Sequence, residues 1–471
     1  MSLSTLGIDT YQITTLVAHA DADRLAQHVE MSFFFRRLPR ARNYVVFCGL
    51  RQLLEHAAQM RLDDADLAVL RAHPMLGPAL AARPHVARAL ASMDGFEGEI
   101  DAVPEGTLAY AGPASRTDGS PLLVAEAPLS IYVPLMRVRT DMVRAKILET
   151  PWLGFINHMS MVASKAARVV SAARGKPVFE FGARRTHPAA AVDASYAAYL
   201  AGGSATSNLA AFARYGVPAV GTMDHFAVQA SERAGVAVET TQQEFFALFA
   251  RAFPNAATML VDTYDTSRGL RDAVAATGGR CTGVRIDSSV TRENMIKARA
   301  ILDAEGGKGV KIYVSDGLDE YRVRELEPFV DGFGVGENIT CSPDAATGVG
   351  AVAKLVVNGY GKVTMKLARG SGKATLPGEL QTYRFADHDV VALASEAAPS
   401  GGAPLLVPVW RGRAPVRDLP TLESARAHVR SQIEALPPET RALEPAPTPR
   451  RLVASDGLVA LMEKLTKEAG L

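Results

Sequence analysis

Cysteine is scarce in this chain, and its distribution excludes two kinds of site. The three cysteines, Cys48, Cys281 and Cys341, are far apart and odd in number. Disulfide frameworks and cysteine-based metal sites need several cysteines at short, regular spacing. The sequence therefore predicts neither, and it favours a reducing compartment.

Long apolar runs and a surplus of one charge are also missing. No apolar stretch reaches the roughly 18 residues that a membrane span requires, and the first residues lack a basic segment followed by an apolar one. The 51 basic and 50 acidic residues give a formal net charge of +1, without a long block of either sign. We therefore predict a cytoplasmic protein that binds neither nucleic acid nor membranes through bulk charge.

A long alternation of strand-like and helix-like segments dominates the chain. Its 471 residues suffice for two or three domains of roughly 150 residues each. Between residues 175 and 340, apolar strand-like runs alternate with helical runs, which predicts parallel strands joined by helices. Before this region, a strand pair is predicted around residues 32–35 and 44–48. We predict an α/β fold with an irregular TIM-like α/β barrel over residues 146–354 and a discontinuous α+β domain, in which residues 355–471 rejoin residues 1–145.

Residues 178–229 show how such a fold would display a reactive site. Strand-like runs at residues 178–182 and 218–222 enclose two alanine-rich helical segments. Arg184 and Arg185 follow the first run, and Asp224 and His225 follow the second. Because α/β barrels carry their active sites at the C-terminal ends of the strands, we place His225 in the site.

Polar residues follow the other predicted strands as well. They are Asp262 and Asp265, Arg285 and Asp287, Ser315 and Asp316, and the glycine-rich loop at residues 334–338. Arginines, carboxylates, one histidine and exposed backbone amides together suit an anionic, phosphorylated substrate.

For two of these features, a purely structural role is an alternative to a role in the site. The spacing of Gly332, Gly334 and Gly336 is a weak indicator of a dinucleotide fold, and no helix clearly starts after it. Backbone amides for one phosphate are the more modest interpretation, and a tight turn is the alternative. Asp262 and Asp287 could instead cap the helices that follow them.

An ordered set of motifs resembles the nicotinate phosphoribosyltransferase family. The motifs run in family order from about residue 7 to residue 384 and are IDTYQIT, FEGEIDAVPEGTL, ETPWLGFINHMSMVASKAARV, FEFGARR, GGSATSN, GTMDH, LVDTYDT, GVRIDS, VSDGLDE, FGVGENIT and LPGELQTYR. Each motif alone is weak, whereas the ordered set is specific.

The resemblance implies an activity, its cofactors and its partners. Family members form nicotinate mononucleotide and pyrophosphate from nicotinate and phosphoribosyl pyrophosphate. They couple this reaction to ATP hydrolysis through a phosphorylated histidine and use Mg²⁺. The resemblance also implies a head-to-tail homodimer in which the partner's N-terminal region completes each site.

The matching motifs carry the family's site residues onto this sequence. His225 takes the phosphohistidine position, with the Asp262 carboxylate beside it, and Asp287 addresses the ribose. Tyr11 from the partner chain and Phe181 would bracket the pyridine ring. Nicotinate would be contacted by Arg184, Thr222 and Arg285, and the phosphates by Ser315, Gly317 and Gly336. No residue is assigned as a metal ligand.

The loop GGSATSN favours nicotinate over nicotinamide. Related nicotinamide enzymes carry an aspartate in this loop, where it accepts from the amide, whereas here Ser204, Thr206 and Ser207 stand there. A carboxylate substrate would be repelled by that aspartate and attracted by Arg285, a charge-assisted contact worth roughly 1.5 to 3 kcal/mol.

Four positions depart from the family pattern. Asp224 replaces a small residue, Ser289 and Val290 stand where Gly-Asp is usual, and Glu337 replaces a threonine. A carboxylate facing a phosphate is unfavourable unless a cation intervenes. A nicotinamide phosphoribosyltransferase and a degenerate ligand-binding paralogue without turnover therefore remain as alternatives.

Overall fold

The computed structural model describes residues 5–470 except 22, 40, 125, 126, 344–349 and 368–373. The chain forms two compact units. The first unit contains Met1–Met161 and Thr347–Leu471, and the second unit contains Val162–Ala346. The predicted boundaries after residues 145 and 354 stay predictions, as does the discontinuous α+β domain.

The N-terminal segment combines short helices with antiparallel strands. Its elements are α1 (Thr10–Ala20), β1 (His28–Phe35), β2 (Val45–Val46), α2 (Leu50–Gln59), α3 (Asp64–Ala72), α4 (Leu76–Ala82), α5 (Pro84–Ala91), β3 (Gly98–Ala102), β4 (Leu108–Ala109), β5 (Ala111–Ser115), β6 (Leu123–Val124), β7 (Ala127–Pro128), β8 (Ser130–Tyr132), β9 (Pro134–Asp141) and α6 (Met142–Ala172).

The middle segment alternates strands and helices as the sequence predicts. Its elements are β10 (Val178–Glu180), α7 (Pro188–Leu200), β11 (Ala205–Thr206), α8 (Leu209–Tyr215), α9 (His225–Gln229), α10 (Val238–Ala252), β12 (Thr258–Leu260), α11 (Thr266–Thr277), β13 (Gly283–Ile286), α12 (Arg292–Ala304), β14 (Lys311–Ser315), α13 (Glu320–Leu326), β15 (Gly332–Val335) and α14 (Glu337–Thr340).

The C-terminal segment begins with strands and ends with three helices, the last two of which are separated by a strand. Its elements are β16 (Ala351–Val357), β17 (Leu380–Arg384), β18 (His388–Leu393), β19 (Ala403–Pro404), β20 (Val407–Gly412), β21 (Ala414–Pro415), α15 (Leu422–Glu434), α16 (Pro438–Arg441), β22 (Arg451–Ala454) and α17 (Asp456–Glu468).

Two six-stranded sheets organise the first unit. One has the order β16-β1-β9-β3-β20-β21 with antiparallel neighbours, and the other has the order β19-β17-β18-β22-β5-β8. Aromatic side chains pack in its core, where Trp152 lies 6.2 Å from Phe33 and 5.5 Å from Phe96, measured between ring centroids. The predicted strand pair is wrong, because β1 pairs with β9 and β16 whereas β2 pairs with β4.

A parallel sheet with the order β11-β10-β15-β14-β13-β12 forms the centre of the second unit. Its strands are short and apolar, and the helices that follow them begin at capping side chains such as Asn208, Asp265, Thr291 and Asp319. The predicted mixed α/β class is confirmed, and closure into a TIM-like barrel stays a prediction.

The predicted strand at residues 218–222 is reduced to one isolated parallel bridge between Ala219 and Thr206. Pro218 has no amide hydrogen to donate, so only its carbonyl contributes to the ladder, accepting from the Thr206 amide at 2.9 Å. The GGSATSN segment, by contrast, contains β11 at the edge of the sheet.

None of the helices in the described part of the chain combines the length and the apolar character that a membrane span requires. Cys48, Cys281 and Cys341 all lie within described residues, and none of the three forms a disulfide bond. The cytoplasmic location stays a prediction.

Candidate functional site

The C-terminal ends of the parallel strands open onto one cleft of about 770 Å³ in the second unit. Eight residues that the sequence assigns to a site line it: Phe181, Arg184, Thr222, Arg285, Asp287, Ser315, Gly317 and Gly336. The topology explains this convergence, because neighbouring parallel strands deliver their following residues to the same edge of the sheet.

An aromatic side chain forms one wall of the cleft. Phe181 directly follows β10, and its amide donates to the carbonyl of Val335 at 2.9 Å. The ring of Phe181 lies 6.1 Å from the ring of Phe179, nearly parallel to it. A Cβ at position 334 would come within 2.4 Å of the Phe181 ring, so glycine at that position lets the ring lie flat against β15.

Arg285 is a partly buried cation held by neutral groups. Its Nη1 donates to Thr222 Oγ1 at 2.8 Å and its Nη2 donates to the Met223 carbonyl at 3.1 Å. Its buried Nε has no hydrogen-bond partner among the described residues. Burial lowers the pKa of the guanidinium, while the nearby Asp287 and Asp262 carboxylates act in the opposite direction. A guanidinium stays protonated in proteins, so the cleft offers a fixed positive charge to an anionic ligand.

Asp262 joins the ends of two neighbouring strands. Its Oδ2 accepts from the Asp287 amide at 2.8 Å and from Ser288 Oγ at 2.6 Å, and its buried Oδ1 has no partner in the described part of the chain. The capping alternative is wrong for both acids, because Asp265 caps α11 and Thr291 caps α12. Asp287 lines the cleft, whereas Asp262 is not one of its lining residues.

His225 lies at the first position of the short helix α9, beside the cleft-lining Asp224. Its Nδ1 lies 3.1 Å from Thr263 Oγ1, so the hydrogen bond found here involves a hydroxyl and not the expected carboxylate. Asp262 is instead engaged with the end of β13. His225 itself is not among the residues that line the cleft.

Asp224 has a structural reason to be acidic. Its Oδ1 accepts from the Ala227 amide at 2.9 Å and caps α9. A side-chain oxygen at this position satisfies a helix amide that would otherwise lack a partner. The departure from the family's small residue therefore orients the helix that carries His225.

Two loops present glycine-rich backbone to the cleft. One follows β14, which ends at Ser315, and contains Gly317, and the other follows β15 and contains Gly336. Asn338 joins them, because its Nδ2 donates to the carbonyls of Gly317 and Leu318 at 3.1 and 3.0 Å. A short helix, α14, does begin after Gly336, contrary to the expectation of no helix there.

Glu337 faces the cleft mouth with a cation beside it. Its Oε2 lies 3.7 Å from Nε of Arg185, and both side chains are about half exposed. This basic neighbour offsets the negative charge that Glu337 adds to the lining of the cleft. An exposed pair of this kind adds little stability.

Ser289 occupies a backbone conformation that favours glycine. Its φ is +52°, and its carbonyl accepts from the Thr291 amide at 2.9 Å and from Asn294 Nδ2 at 2.8 Å. The family's glycine at this position fits the same conformation without a Cβ penalty. The chain therefore keeps the turn after β13 although the residue differs.

Replacing Ser289 with glycine is expected to raise the free energy of unfolding by about 0.5 to 1 kcal/mol. Relief of the left-handed Cβ strain outweighs the extra freedom that glycine gains in the unfolded chain. Chemical denaturation measures the change. Ser92, whose φ is −80°, provides the control, since its replacement by glycine should lower stability. A loss of stability in the Ser289 variant would contradict the expectation.

Several lining residues escaped the sequence prediction. Phe245 and Phe249 of α10 line the cleft together with Val220. The two phenylalanines are four residues apart and so share one helix face, but the same spacing is typical of a core-facing helix. Thr263, the partner of His225, also looked like an ordinary residue of the LVDTYDT motif.

Tyr11 belongs to the first unit. It lies on α1, and 50% of its surface is exposed. Lys146 Nζ lies 5.4 Å from its ring centroid. An exposed aromatic side chain is available to a second copy of the chain, and its predicted contact with the partner's substrate stays a prediction.

Comparison with known proteins identifies relatives along most of the chain. Residues 6–157 match the nicotinate phosphoribosyltransferase (NAPRTase) N-terminal domain, and residues 177–384 match the nicotinate phosphoribosyltransferase (NAPRTase) family. The nicotinate phosphoribosyltransferase pncB2 of Mycobacterium tuberculosis is 35% identical over 470 residues, which cover 97% of this chain and 93% of that protein.

Two solved structures have a similar fold. Human nicotinic acid phosphoribosyltransferase superposes with a TM-score of 0.76 at 26% identity, covering 97% of this chain and 99% of the other. A nicotinate-nucleotide pyrophosphorylase from Pyrococcus furiosus superposes with a TM-score of 0.70 at 25% identity, covering 92% and 96%. The fold is thus shared with these two enzymes along most of the chain.

Proposed function

The chain belongs to the nicotinate phosphoribosyltransferase family of enzymes, and from that premise we propose that it forms nicotinate mononucleotide and pyrophosphate from nicotinate and phosphoribosyl pyrophosphate. This reaction returns nicotinate to the NAD pool. The observation that carries the proposal is the guanidinium of Arg285, which Thr222 fixes in the cleft. Ser207 of the GGSATSN segment also lines the cleft, and that segment contains no acidic residue.

The lining residues suit an aromatic anion next to a diphosphate. The ring of Phe181 offers a stacking surface for the pyridine, and Arg285 offers a charge-assisted bond to its carboxylate. In the reaction the pyridine nitrogen forms a bond to C1 of the ribose while the bond from C1 to the pyrophosphate oxygen breaks. Positive charge develops on the ribose during this exchange, and the Asp287 carboxylate lies in the cleft to stabilise it.

Ser315 at the end of β14 and the loops that contain Gly317 and Gly336 are proposed to hold the phosphate groups. Exposed backbone amides and hydroxyls bind phosphate without adding a bulky side chain. Arg185, next to Glu337, supplies a cation at the same end of the cleft. In the order of the sheet, the strands that precede these groups, β10, β15 and β14, all lie on the same side of β13, the strand before Asp287.

Mg²⁺ fits this site as an ion that arrives with the substrate. Among the described residues, no three His, Cys, Asp or Glu side chains form a metal-binding group, so the ion would depend on diphosphate oxygens. Asp287 and Asp316 line the cleft and would complete its shell. When bound, the ion neutralises charge on the leaving pyrophosphate.

ATP hydrolysis through phosphorylated His225 is proposed from the position of this residue beside the cleft. In the tautomer whose Nδ1–H donates to Thr263 Oγ1, Nε2 keeps a lone pair that can attack the γ-phosphorus of ATP. That bond forms as the bond to ADP breaks, and water later removes the phosphoryl group. A head-to-tail homodimer with Tyr11 of the partner over the pyridine ring is proposed with it.

The assay that tests the function compares two pyridines in one preparation. With phosphoribosyl pyrophosphate, Mg²⁺ and ATP, nicotinate should yield its mononucleotide with kcat/KM at least about 10-fold above that for nicotinamide. The lower bound reflects one charge-assisted bond of about 1.5 kcal/mol. Coupled detection of pyrophosphate and chromatographic detection of the mononucleotide provide two independent readouts.

The same assay separates the alternatives. A preference for nicotinamide would reverse the assignment of substrate. Binding of pyridine or phosphoribosyl pyrophosphate in a thermal-shift experiment without any release of pyrophosphate would identify a ligand-binding paralogue. The departures at Ser289, Val290 and Glu337 give that outcome its only specific support.

A further inference from the structure

A buried carboxylate beneath the cleft accepts hydrogen bonds from four separate segments. Glu180 is the last residue of β10, and only 2% of its surface is exposed. Its Oε1 accepts from the Gly182 amide and from Thr340 Oγ1, the latter at 3.1 Å. Its Oε2 accepts from Ser195 Oγ at 2.8 Å and from Thr206 Oγ1 at 2.7 Å.

Two of these four donors adjoin residues that line the cleft, and a third ends a helix whose first residues line it. Gly182 follows Phe181, Thr206 precedes Ser207, and Thr340 ends the short helix that begins after Gly336. Thr340 Oγ1 also lies 3.3 Å from the Gly336 carbonyl. The fourth donor, Ser195, lies on α7 and does not adjoin a lining residue.

Backbone packing at Gly182 links two of these segments directly. A Cβ at this position would come within 1.7 Å of Thr340 Oγ1 and 2.9 Å of the Gly336 carbonyl oxygen. The residue after the aromatic wall therefore packs against the segment that carries the loop assigned to phosphate. A displacement of one would move the other, because close-packed interiors transmit small shifts.

A carboxylate suits this position better than any neutral side chain. Ionised Glu is acceptor-only, with two oxygens that offer about four lone-pair sites. A glutamine could keep an acceptor oxygen for the Gly182 amide, but its NH₂ group would then face the hydroxyls of Ser195 and Thr206, which would have to rotate to accept and would no longer donate to this side chain. The negative charge also strengthens each bond in a site from which water is excluded.

We infer that Glu180 is a positioning residue that fixes the aromatic wall at Phe181 relative to the phosphate loop at Gly336. The inference rests on the proposed function for the identity of the two ligands. Glu180 contacts neither ligand; it acts through Gly182 and Thr340. Loss of Glu180 is therefore expected to raise KM for both substrates and to change the relative position of the two bound substrates.

Two conservative variants separate positioning from general stability. Thr340→Val and Ser195→Ala each remove one hydroxyl that donates to Glu180 and also lies near a backbone carbonyl. Both should lower Tm by a similar amount. Thr340→Val should raise KM for phosphoribosyl pyrophosphate about 10-fold, whereas Ser195→Ala should leave both KM values within about twofold. Equal kinetic effects of the two variants would overturn the inference.

Changes at Glu180 itself provide the second measurement. Glu180→Gln should raise KM for nicotinate and for phosphoribosyl pyrophosphate together, each by about 10- to 100-fold. Glu180→Asp keeps the charge and should recover part of the loss. A Glu180→Gln protein with normal KM values would contradict the role, and if it does not fold, the Thr340 and Ser195 pair decides.

The design also distinguishes failure of the inference from failure of the proposed function. Should the unmodified protein make no mononucleotide, the proposed function fails. Calorimetric titration with inorganic pyrophosphate then replaces kinetics, and Thr340→Val should still weaken its binding about 10-fold relative to Ser195→Ala. Equal pyrophosphate affinity in the two variants would overturn the positioning role by itself.

Discussion

Replacing Arg285 with glutamine is expected to lower kcat/KM for nicotinate by about 100-fold or more. The guanidinium is the partly buried cation of the cleft, fixed by Thr222 Oγ1 and the Met223 carbonyl. A carboxylate that takes up its remaining donors gains bonds worth about 1.5 to 3 kcal/mol each. Loss of roughly 3 kcal/mol corresponds to slightly more than two decades in kcat/KM.

The specificity ratio makes this result diagnostic. Nicotinamide has no charge to pair with Arg285, so its kcat/KM should fall by less than about 10-fold. Arg251→Gln is the matched control, because Arg251 is exposed at the end of α10 and does not line the cleft. Parallel losses for both pyridines would mean that the variant has damaged the cleft as a whole and that Arg285 does not select the carboxylate.

A smaller change tests how the guanidinium is held. Thr222 accepts from Arg285 Nη1, and valine at that position would keep the volume but remove the acceptor. The side chain of Arg285 would then lose one of two bonds that fix its plane. The loss of kcat/KM for nicotinate in Thr222→Val should lie between the losses in Arg251→Gln and Arg285→Gln. The positive charge remains in this variant, but the guanidinium is held less firmly in one orientation.

Much of the site followed from one regularity in the sequence. Short apolar runs ending in polar residues predicted that Arg285, Asp287 and Ser315 would meet, and all three line one cleft. The regularity works because parallel strands force their C-terminal ends to one edge, independent of the exact length of each helix. Family resemblance added Phe181 and Gly317, whose side-chain types alone would not have indicated a site.

The pairing of individual side chains could not be predicted in the same way. Asp262 was expected beside His225, yet its Oδ2 accepts hydrogen bonds from the Asp287 amide and from Ser288 Oγ. The imidazole of His225 forms its hydrogen bond with Thr263 Oγ1. Adjacent residues after a strand point in different directions, so a one-residue difference decides which of them reaches a neighbour. The spacing of residues in the sequence does not determine the direction in which each side chain points.

Edge elements were the other source of error. The run at residues 218–222 has strand-like composition, but it forms one bridge, and the serine-rich GGSATSN segment supplies the paired strand β11. Composition describes how well a residue fits a pleated surface, whereas pairing depends on which backbone groups a neighbour leaves open. In the N-terminal segment the same limit produced the incorrect pairing of β1 with β2.

Replacing His225 with alanine is expected to abolish the phosphoenzyme and to remove the stimulation of turnover by ATP. Loss of a nucleophile in the chemical step lowers the coupled rate by about 10²- to 10⁴-fold. The fold should remain, because His225 occupies the first turn of a five-residue helix whose cap is Asp224. Labelling with γ-phosphate-labelled ATP, measured alongside mononucleotide formation with and without ATP, gives both quantities from one preparation.

Two further variants locate the chemistry at this imidazole. His187→Ala removes a histidine that caps α7 and does not line the cleft, and it should keep full labelling. Thr263→Val removes the partner of Nδ1, so it should slow labelling without abolishing it, because the ring loses its fixed tautomer while Nε2 remains. If His225→Ala still hydrolyses ATP in step with product, the phosphoryl group passes through another residue. Because Thr263 contacts the ring nitrogen opposite the proposed nucleophile, a stronger defect in Thr263→Val than in His225→Ala would exclude the assigned roles of both residues.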